Sequence, residues 1–286
     1  MNLSVLIPVY AQESPRFLGE CLDSLAAQTR AADEVVIVED GPLTEELHAT
    51  IHYHARHLPV VRATLPRHAG LGEALRSGLE ACRGVYVARM DADDIALPAR
   101  FERQMSFLAA HPGIDVVGSA IAEFHDLPGA PHAIRRLPGS GVALRRFAAR
   151  RNPLNHMTVL FRRQSVIAAG NYQPFAGFED YHLWARMLQL GYRIHNLPDV
   201  LVLARCGAGM QARRGGLSYL VREASFQLFL HRAGLLSATA CLRNLLIRAP
   251  IRIAPAFARA FFYSRVLRQP VPASRELNAT GEFKIE

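Results

Sequence analysis

Long apolar runs are missing from this chain of 286 residues. Nowhere do roughly 18 apolar residues follow one another without a charge, so no membrane-spanning helix is expected. A secretory leader is not expected either. The opening MNLSVLIPVY has no basic start, its apolar stretch is short, and Pro8 interrupts it. The four cysteines, Cys21, Cys82, Cys206 and Cys241, show no metal-ligand or redox spacing, which fits a reducing cytosol and buried thiols. Internal repeats, low-complexity tracts, a phosphate-binding Gly-Lys-Ser/Thr and a dinucleotide glycine motif are all lacking. So is the aromatic–basic interleaving of RNA-binding proteins, and nucleic acid is not an expected partner.

Half of the residues are apolar, enough for one large domain or one domain with an appendage. The net charge of +8 is unevenly placed. From Arg205 onward there are twelve Arg and one Lys against four Glu, a net +9, which leaves −1 for everything before it. Such asymmetry points to an anionic surface met by one end of the protein.

Strand and helix patterns alternate along the first part. Leu3–Val9, Glu34–Glu39, Val60–Ala63, Val85–Met90 and Asp115–Ile121 read as strands. Helical faces recur in PRFLGECLDSLAAQ, Thr44–His57, Leu71–Cys82 and the segment entered at Pro98. This order predicts an α/β fold with an open, mostly parallel sheet, whose ligands sit outside the carboxyl ends of its strands. Leu127–Gly141 reads as a loop. HMTVLF reads as a strand, QSVIAAG and Asp180–Leu190 as helices, and Tyr192–Asn196 and Val200–Ala204 as two short strands. Beyond GAGMQARRGG come three basic amphipathic helices, broken at Gly234, Pro250 and Pro255.

Carboxylates stand where two strands end. In VYVARMDADDIALPARFERQ, residues 85–104, an apolar run meets Asp91, Asp93 and Asp94. Like charges at that spacing repel unless something positive joins them. An Asp-x-Asp pair suits a hard divalent cation that also takes phosphate oxygens. A calcium loop fits poorly, with Ile95 and Ala96 at its fifth and sixth positions. The same acids also suit a turn and a cap for the following helix. VVIVEDGP sets Asp40 at the end of another strand, where an ordinary turn is the competing reading.

Five segments, VLIPVYAQE, VVIVEDG, GLGEALRSGL, RMDADDIALPARFERQ and FEDYHLWARMLQLGY, occur in that order. On them, residues 3–205 resemble a family 2 glycosyltransferase of the GT-A fold, of the bacterial surface-polysaccharide type. The resemblance implies a Rossmann-like sheet with helices on both faces over residues 1–205, followed by a basic helical region over 206–286. The implied reaction moves a hexosyl or N-acetylhexosaminyl group from a nucleotide-diphosphate sugar, with inversion. Pro8, Tyr10, Glu13, Asp40 and Gly70 match positions that cradle base and ribose, with His68 where the family often has Asn. Asp93 would hold Mn²⁺ or Mg²⁺, while Asp91 would face the ribose and help set the metal site. Asp180 would be the catalytic base, with Glu179 positioning it or holding the acceptor. Taken alone, these two acids equally suit a helix N-terminus.

QARR resembles the Gln-x-x-Arg-Trp run of processive members, but Gly215 replaces the Trp, which implies single transfers. Arg213 or Arg214 would clamp the diphosphate. NPLNHMTVLF places Asn155 and His156 on the acceptor side; a satisfied interior His is the competing reading. The basic tail would lie on an anionic inner leaflet, where lipid-linked saccharides are held. The expectation is a cytoplasmic enzyme, peripheral on the inner face of the plasma membrane, acting on a lipid-linked or free saccharide. A helical subdomain packed on the catalytic core or on a second subunit is the other reading of the tail. Rival functions are a metal-dependent nucleotidyltransferase or phosphohydrolase, and an inactive nucleotide-sugar-binding partner of a membrane assembly.

Overall fold

The unbroken Val and Ile runs become strands buried on both faces. A computed structural model describes residues 2–206, 216–253 and 269–270. In it β1 (Leu3–Val9) and β2 (Glu34–Glu39) have the bounds expected from sequence. Leu3, Val5, Ile7, Val35 and Ile37 enter one apolar layer, while Leu6, Val36 and Val38 enter the other. A strand covered on both sides has no polar face to alternate with.

Helices supply both layers. On the first side lie α1 (Pro15–Ala26), α2 (Glu45–His54) and, further along the chain, a helix at Arg100–Ala110. Their starts follow local chemistry: Ser14 accepts from the Phe17 N–H at 3.4 Å with Pro15 at the first turn, and Thr44 accepts from Leu47 at 3.3 Å. The second side takes α3 (Leu71–Ala81), which follows β3 (Val60–Thr64). Next come β4 (Tyr86–Arg89), β5 (Ile95–Ala96), the first-side helix α4 at Arg100–Ala110, β6 (Val116–Phe124) and β7 (Ala133–Arg135). Then follow α5 (Gly141–Ala148), β8 (Leu160–Arg162), α6 (Arg163–Ala168), α7 (Glu179–Gln189) and β9 (Ile194–Arg205).

The expected α/β fold is observed, with a mixed sheet. Its order is β10–β7–β6–β8–β4–β1–β2–β3, where β10 is Gln269–Pro270. β3, β2, β1 and β4 run parallel, and β6 runs parallel to β9. β8 enters antiparallel between β4 and β6, while β7 and β5 add antiparallel edges to β6 and β9. The parallel set brings the carboxyl ends of β1, β2 and β4 to one edge.

Several elements differ from the sequence reading. HMTVLF is not one strand: His156–Thr158 form a 3-10 turn before β8. Thr158 Oγ1 donates to Asn155 O at 2.8 Å and accepts from the Ser119 N–H at 2.9 Å, so polar closure overrides the apolar run. The two strands expected around Asn196 and Val200 are the single strand β9. Leu197 pairs with Ser119 and Val200 with Ala120, so Pro198 and Asp199 loop out as a bulge. Proline has no N–H for the ladder, and pairing resumes beyond it. The loop expected over Leu127–Gly141 contains β7, whose Ala133 and Ile134 are buried.

Two helices close the described part, α8 (Leu217–Arg232) and α9 (Ala238–Ile253). The expected break at Gly234 is present, its φ of 71° suiting glycine. The break expected at Pro250 is not. Pro250 lies inside α9 in its last turn, where its missing N–H forfeits one hydrogen bond without interrupting the preceding turns. Pro255 lies outside the described residues. Tyr219, Phe226 and Leu230 of α8 pack on Phe178, Tyr181 and Ala185 at and within α7. Asn244 of α9 donates to Gln227 at 3.0 Å and to the Ala149 carbonyl at 3.3 Å, and Arg248 pairs with the fully buried Glu223. Among the described residues no helix is long and apolar enough to cross a membrane. The four cysteines are free and buried.

Helix α3 lies unusually close to the sheet at Gly78. A Cβ there would stand 2.3 Å from Leu6 Cδ1 and 2.4 Å from Val38 Cγ2. Gly78→Ala should therefore lose about 1–2 kcal/mol despite its better helix propensity, because overpacking outweighs the propensity gain. Urea unfolding measures this, and a stabilised variant would refute the close packing.

Candidate active site

Tyr10, Asp40 and Asp91 each follow the carboxyl end of a strand in the parallel set β2–β1–β4. Asp40 is buried, and its carboxylate gathers a second loop. Oδ1 accepts from the Ala69 N–H at 2.6 Å, while Oδ2 accepts from the Gly70 N–H at 3.0 Å and lies 2.8 Å from His68 Nδ1. The His68 ring stacks on Tyr10 with centroids 5.9 Å apart. Gly41, at φ +85°, permits the approach: a Cβ would meet the His68 backbone N at 2.6 Å. Gly70 is the N-cap of α3, so Asp40 and the start of that helix form one corner. Glu13 turns back through its N–H to the Tyr10 carbonyl at 3.0 Å, and Pro8 lies within β1.

Arginines stand among the carboxylates after β4. Arg89, fully buried, forms an ion pair with Asp91. Arg205, at the end of β9, donates its backbone N–H to Asp94 at 2.8 Å and its Nε to the Asp93 carbonyl at 3.1 Å. Its guanidinium lies 3.8 Å from the centre of the Phe17 ring and pairs with Glu20. Asp94 is buried, and burial, then Asp91 and Asp93, hold its carboxyl well above the usual range. Asp93 forms no ion pair with a described side chain. Burial first, and Asp91 second, push its carboxyl up to about 6.

Helix α7 begins with the other acids. Glu179 accepts from the Gly177 N–H at 3.0 Å, and burial raises its carboxyl. A Cβ on Gly72 would lie 3.0 Å from Glu179 Cγ, so the starts of α3 and α7 touch. Asp180 Oδ2 accepts from Asn152 Nδ2 and lies 3.9 Å from His156 Nδ1; Oδ1 accepts from the Tyr181 N–H at 2.7 Å. His156 Nε2 meets the Tyr172 hydroxyl at 3.0 Å. Tyr172 has no exposed surface, and burial chiefly raises its hydroxyl; the charges of Arg89, Asp180 and Asp91 also act on it, so one strand-end acid and one α7 acid share this neighbour.

Asn155 is buried, and its amide nitrogen donates to the Ser119 carbonyl at 2.8 Å and the Arg135 carbonyl at 3.4 Å, so that amide is engaged within the fold. Arg213 and Arg214 lie outside the described residues. Sequence reasoning missed Arg89, Asn152 and Tyr172. The one available signal for Arg89 was a cation inside an otherwise apolar strand, VYVARM.

Among the described residues no three His, Cys, Asp or Glu side chains converge as a ready metal site. Two carboxylates nevertheless fit a Mg²⁺ or Mn²⁺ ion that takes its remaining ligands from phosphate and water. Asp93 supports that fit, since burial first and Asp91 second disfavour its charged form, outweighing the fields of Arg89 and Arg205.

The family described as Glycosyl transferase family 2 matches residues 4–178. The amylovoran biosynthesis glycosyltransferase AmsE of Erwinia amylovora is 42% identical over 265 residues, covering 92% of this chain and 98% of that protein. The UDP-Gal:alpha-D-GlcNAc-diphosphoundecaprenol beta-1,3-galactosyltransferase of Escherichia coli is 34% identical over 268 residues, covering 94% and 97%. In fold, the chain is similar to S. aureus TarS 1-349 in complex with UDP-GlcNAc, with a TM-score of 0.68 at 20% identity over 93% of this chain and 76% of that one. It is also similar to a mannosyltransferase of Pyrobaculum calidifontis in complex with GDP-Man and Mn²⁺, with a TM-score of 0.59 at 19% identity over 92% and 79%.

Because its carboxyl is pushed up to about 6, Asp93 costs the metal-free fold stability at neutral pH, a penalty that fades as pH falls through 6. Asp93→Asn should stabilise the metal-free protein by on the order of 1 kcal/mol. The same change should abolish the extra stabilisation given by Mn²⁺ with UDP. Thermal unfolding in EDTA and in Mn²⁺ with UDP reads both; a destabilised variant would contradict the repulsion.

Proposed function

The chain belongs to glycosyltransferase family 2, and on that premise we propose that it transfers one hexosyl or N-acetylhexosaminyl group, with inversion, from a nucleotide-diphosphate sugar to a lipid-linked saccharide. The observation that supports this reading is that Asp91, at the end of β4, and Asp180, at the head of α7, both act on the buried Tyr172. A donor bound at the sheet edge would then present its anomeric carbon to the side where Asp180 stands. Tyr10, Asp40 and the Gly70 corner would hold the nucleoside, leaving the diphosphate toward Asp91 and Asp93.

Inversion needs one displacement. The acceptor oxygen bonds to the anomeric carbon as the bond from that carbon to the diphosphate breaks, and the diphosphate leaves with the electron pair. Asp180 takes the acceptor's proton as its oxygen attacks. Asp93, with Asp91 beside it, would hold a divalent cation, whose chemistry would be neutralisation of the diphosphate's charge. Arg89 holds Asp91 in place, and Glu179, raised by burial, lies at the contact between α7 and α3.

The outer face of the C-terminal helices, together with the relatives, supports this acceptor class. Leu217, Val221 and Leu228 of α8 and Leu242, Leu246 and Ile247 of α9 are exposed, although the inner faces of both helices are packed. The chain from Arg205 onward carries +9. An apolar face with a basic surround suits the interface of an anionic leaflet. The relative that acts on a diphosphoundecaprenol-linked sugar supports a lipid-borne acceptor. The enzyme would thus work peripherally on the cytoplasmic face.

Asp180→Asn should lower kcat by about 10²- to 10⁴-fold while UDP binding survives. Release of nucleoside diphosphate, screened across nucleotide sugars with Mn²⁺ and a lipid-diphosphate-linked saccharide, measures the first; calorimetry measures the second. Undiminished turnover would remove Asp180 as the base. Replacing Leu242, Leu246 and Ile247 with Ser should leave the fold intact, since all three are exposed, and should abolish co-sedimentation with anionic phosphatidylglycerol vesicles. Equal sedimentation of variant and wild type would overturn the membrane face.

A further inference from the structure

The head of α8 borders the head of α7. Tyr219 packs on Phe178, the residue before Glu179, with ring centroids 5.6 Å apart, and a Cβ on Gly177 would lie 3.6 Å from Tyr219 Cε2. On α8 an open groove of about 660 Å³ is lined, among the described residues, by Leu217, Ser218, Val221 and Arg222. Leu217 and Val221 are exposed and stand one helical turn apart. Arg222 brings the charge. Its Nε donates to the Ser218 carbonyl at 3.3 Å and its guanidinium lies 5.5 Å from the centre of the Tyr219 ring, while no described carboxylate forms an ion pair with it. That charge extends to α7: burial chiefly raises the Glu179 carboxyl, and Arg222 is among the groups that draw it back.

An aliphatic pair beside an uncompensated guanidinium matches an amphiphilic anion. A lipid-linked saccharide consists of a reacting sugar, a phosphate link and a hydrocarbon chain. The heads of α7 and α8 offer a counterpart for each: acids for the sugar, a cation for the phosphate, aliphatic side chains for the lipid. We propose that this groove is the acceptor subsite, where Arg222 takes the phosphate that joins saccharide to lipid and Leu217 and Val221 take the start of the chain. The subsite presupposes the lipid-linked acceptor proposed above and names the residues that select it. With Nε held by Ser218, the two terminal nitrogens of Arg222 remain for phosphate oxygens, which a guanidinium binds in pairs. Leu228 continues the exposed aliphatic side of α8 at helical spacing, so the groove runs into the face proposed to meet the leaflet. A free saccharide would use neither the cation nor the aliphatic pair.

The test uses the full chain with farnesyl diphosphate as the probe, in EDTA so that no metal recruits its diphosphate to the donor side. Calorimetry should show binding to the wild type that weakens about 10- to 100-fold in Arg222→Gln, the range of a lost charge-assisted hydrogen bond, and less in Arg222→Lys. Combining Leu217→Ser with Val221→Ser should weaken it by roughly tenfold or more through lost apolar burial. Farnesol, which lacks the anion, should bind weakly and equally to wild type and Arg222→Gln. Unchanged farnesyl diphosphate affinity in Arg222→Gln would overturn the subsite. A parallel loss of farnesol would mean that Arg222 builds the groove rather than binding phosphate, and would overturn it too. Arg222→Gln should also co-sediment with phosphatidylglycerol vesicles as wild type does; a loss there would assign Arg222 to bulk headgroups and refute the acceptor assignment. Wild-type turnover no faster with a lipid-diphosphate-linked saccharide than with the same free saccharide would instead strike the lipid-linked acceptor itself, and the subsite with it. That failure is read from wild-type turnover alone, whereas failure of the subsite is read from the Arg222 variants.

Discussion

Crowded carboxylates at the end of a buried strand set the terms for the rest of this molecule. Three acids within four residues can enter a fold only if their charges are compensated, and here the compensation is uneven. Arg89 answers Asp91 from within β4, and the backbone of Arg205 answers Asp94 from the end of β9. For Asp93, burial and the charge of Asp91 outweigh the fields of both arginines. Fixed arginines therefore do part of what the sequence alone assigned wholly to an incoming cation, and on the proposed function Asp93 would be the carboxylate left for it. A site with all three acids neutralised would fold more easily and bind a metal–diphosphate less well.

The two arginines also tie distant elements to the edge of the sheet. Arg205 can reach Asp93 and Asp94 because β9 runs parallel to β6 and antiparallel to β5. Arg89 and Asp91 stand two residues apart across the end of β4, and the charge of Arg89 is felt by both Tyr172 and His156. One buried cation thus acts in two directions: it pairs with Asp91, and it adds to burial in holding the His156 imidazole below its ordinary value. Arg100 lies beneath, donating to the Arg89 carbonyl at 2.7 Å, and burial brings it down to about 9. Burying two arginines in a dry interior is costly, and Arg100 offsets part of that cost through its hydrogen bonds to the Arg89 carbonyl and the Met90 sulfur.

How far the sequence could be read depended on how local the determining physics was. β1 and β2 follow from unbroken β-branched runs, and α3 from its apolar face, because each is fixed by its own residues. The strand-end acids were legible for the same reason. Asn152 and Tyr172 were not, since what marks them is a partner 28 or 16 residues away rather than a pattern around them. HMTVLF looked like a strand because its apolar residues are contiguous; the turn inside it is dictated by Thr158 bonding to Ser119, a contact 39 residues distant. β9 was split at Pro198 because a missing N–H ends most strands, yet a bulge removed Pro198 from the ladder instead.

The C-terminal helices gave two readings in sequence, a membrane face and a packed subdomain, as though one excluded the other. Their geometry makes the two compatible. The inner faces carry Tyr219, Phe226, Glu223 and Asn244 into contact with α7 and the end of α5, while the outer faces keep six large aliphatic side chains in water. Apolar side chains already packed inward contribute nothing to membrane affinity, so the proposed membrane contact would fall to the outer six, assisted by charge. The consequence for catalysis lies in α7. Because α8 stacks directly on Phe178 and Tyr181, which flank Glu179 and Asp180, a leaflet bound by the outer face would lie one helix layer from the acids at the head of α7. On the proposed function, a lipid-borne hydroxyl would travel only along the leaflet to reach Asp180, whose helix is braced against the same support.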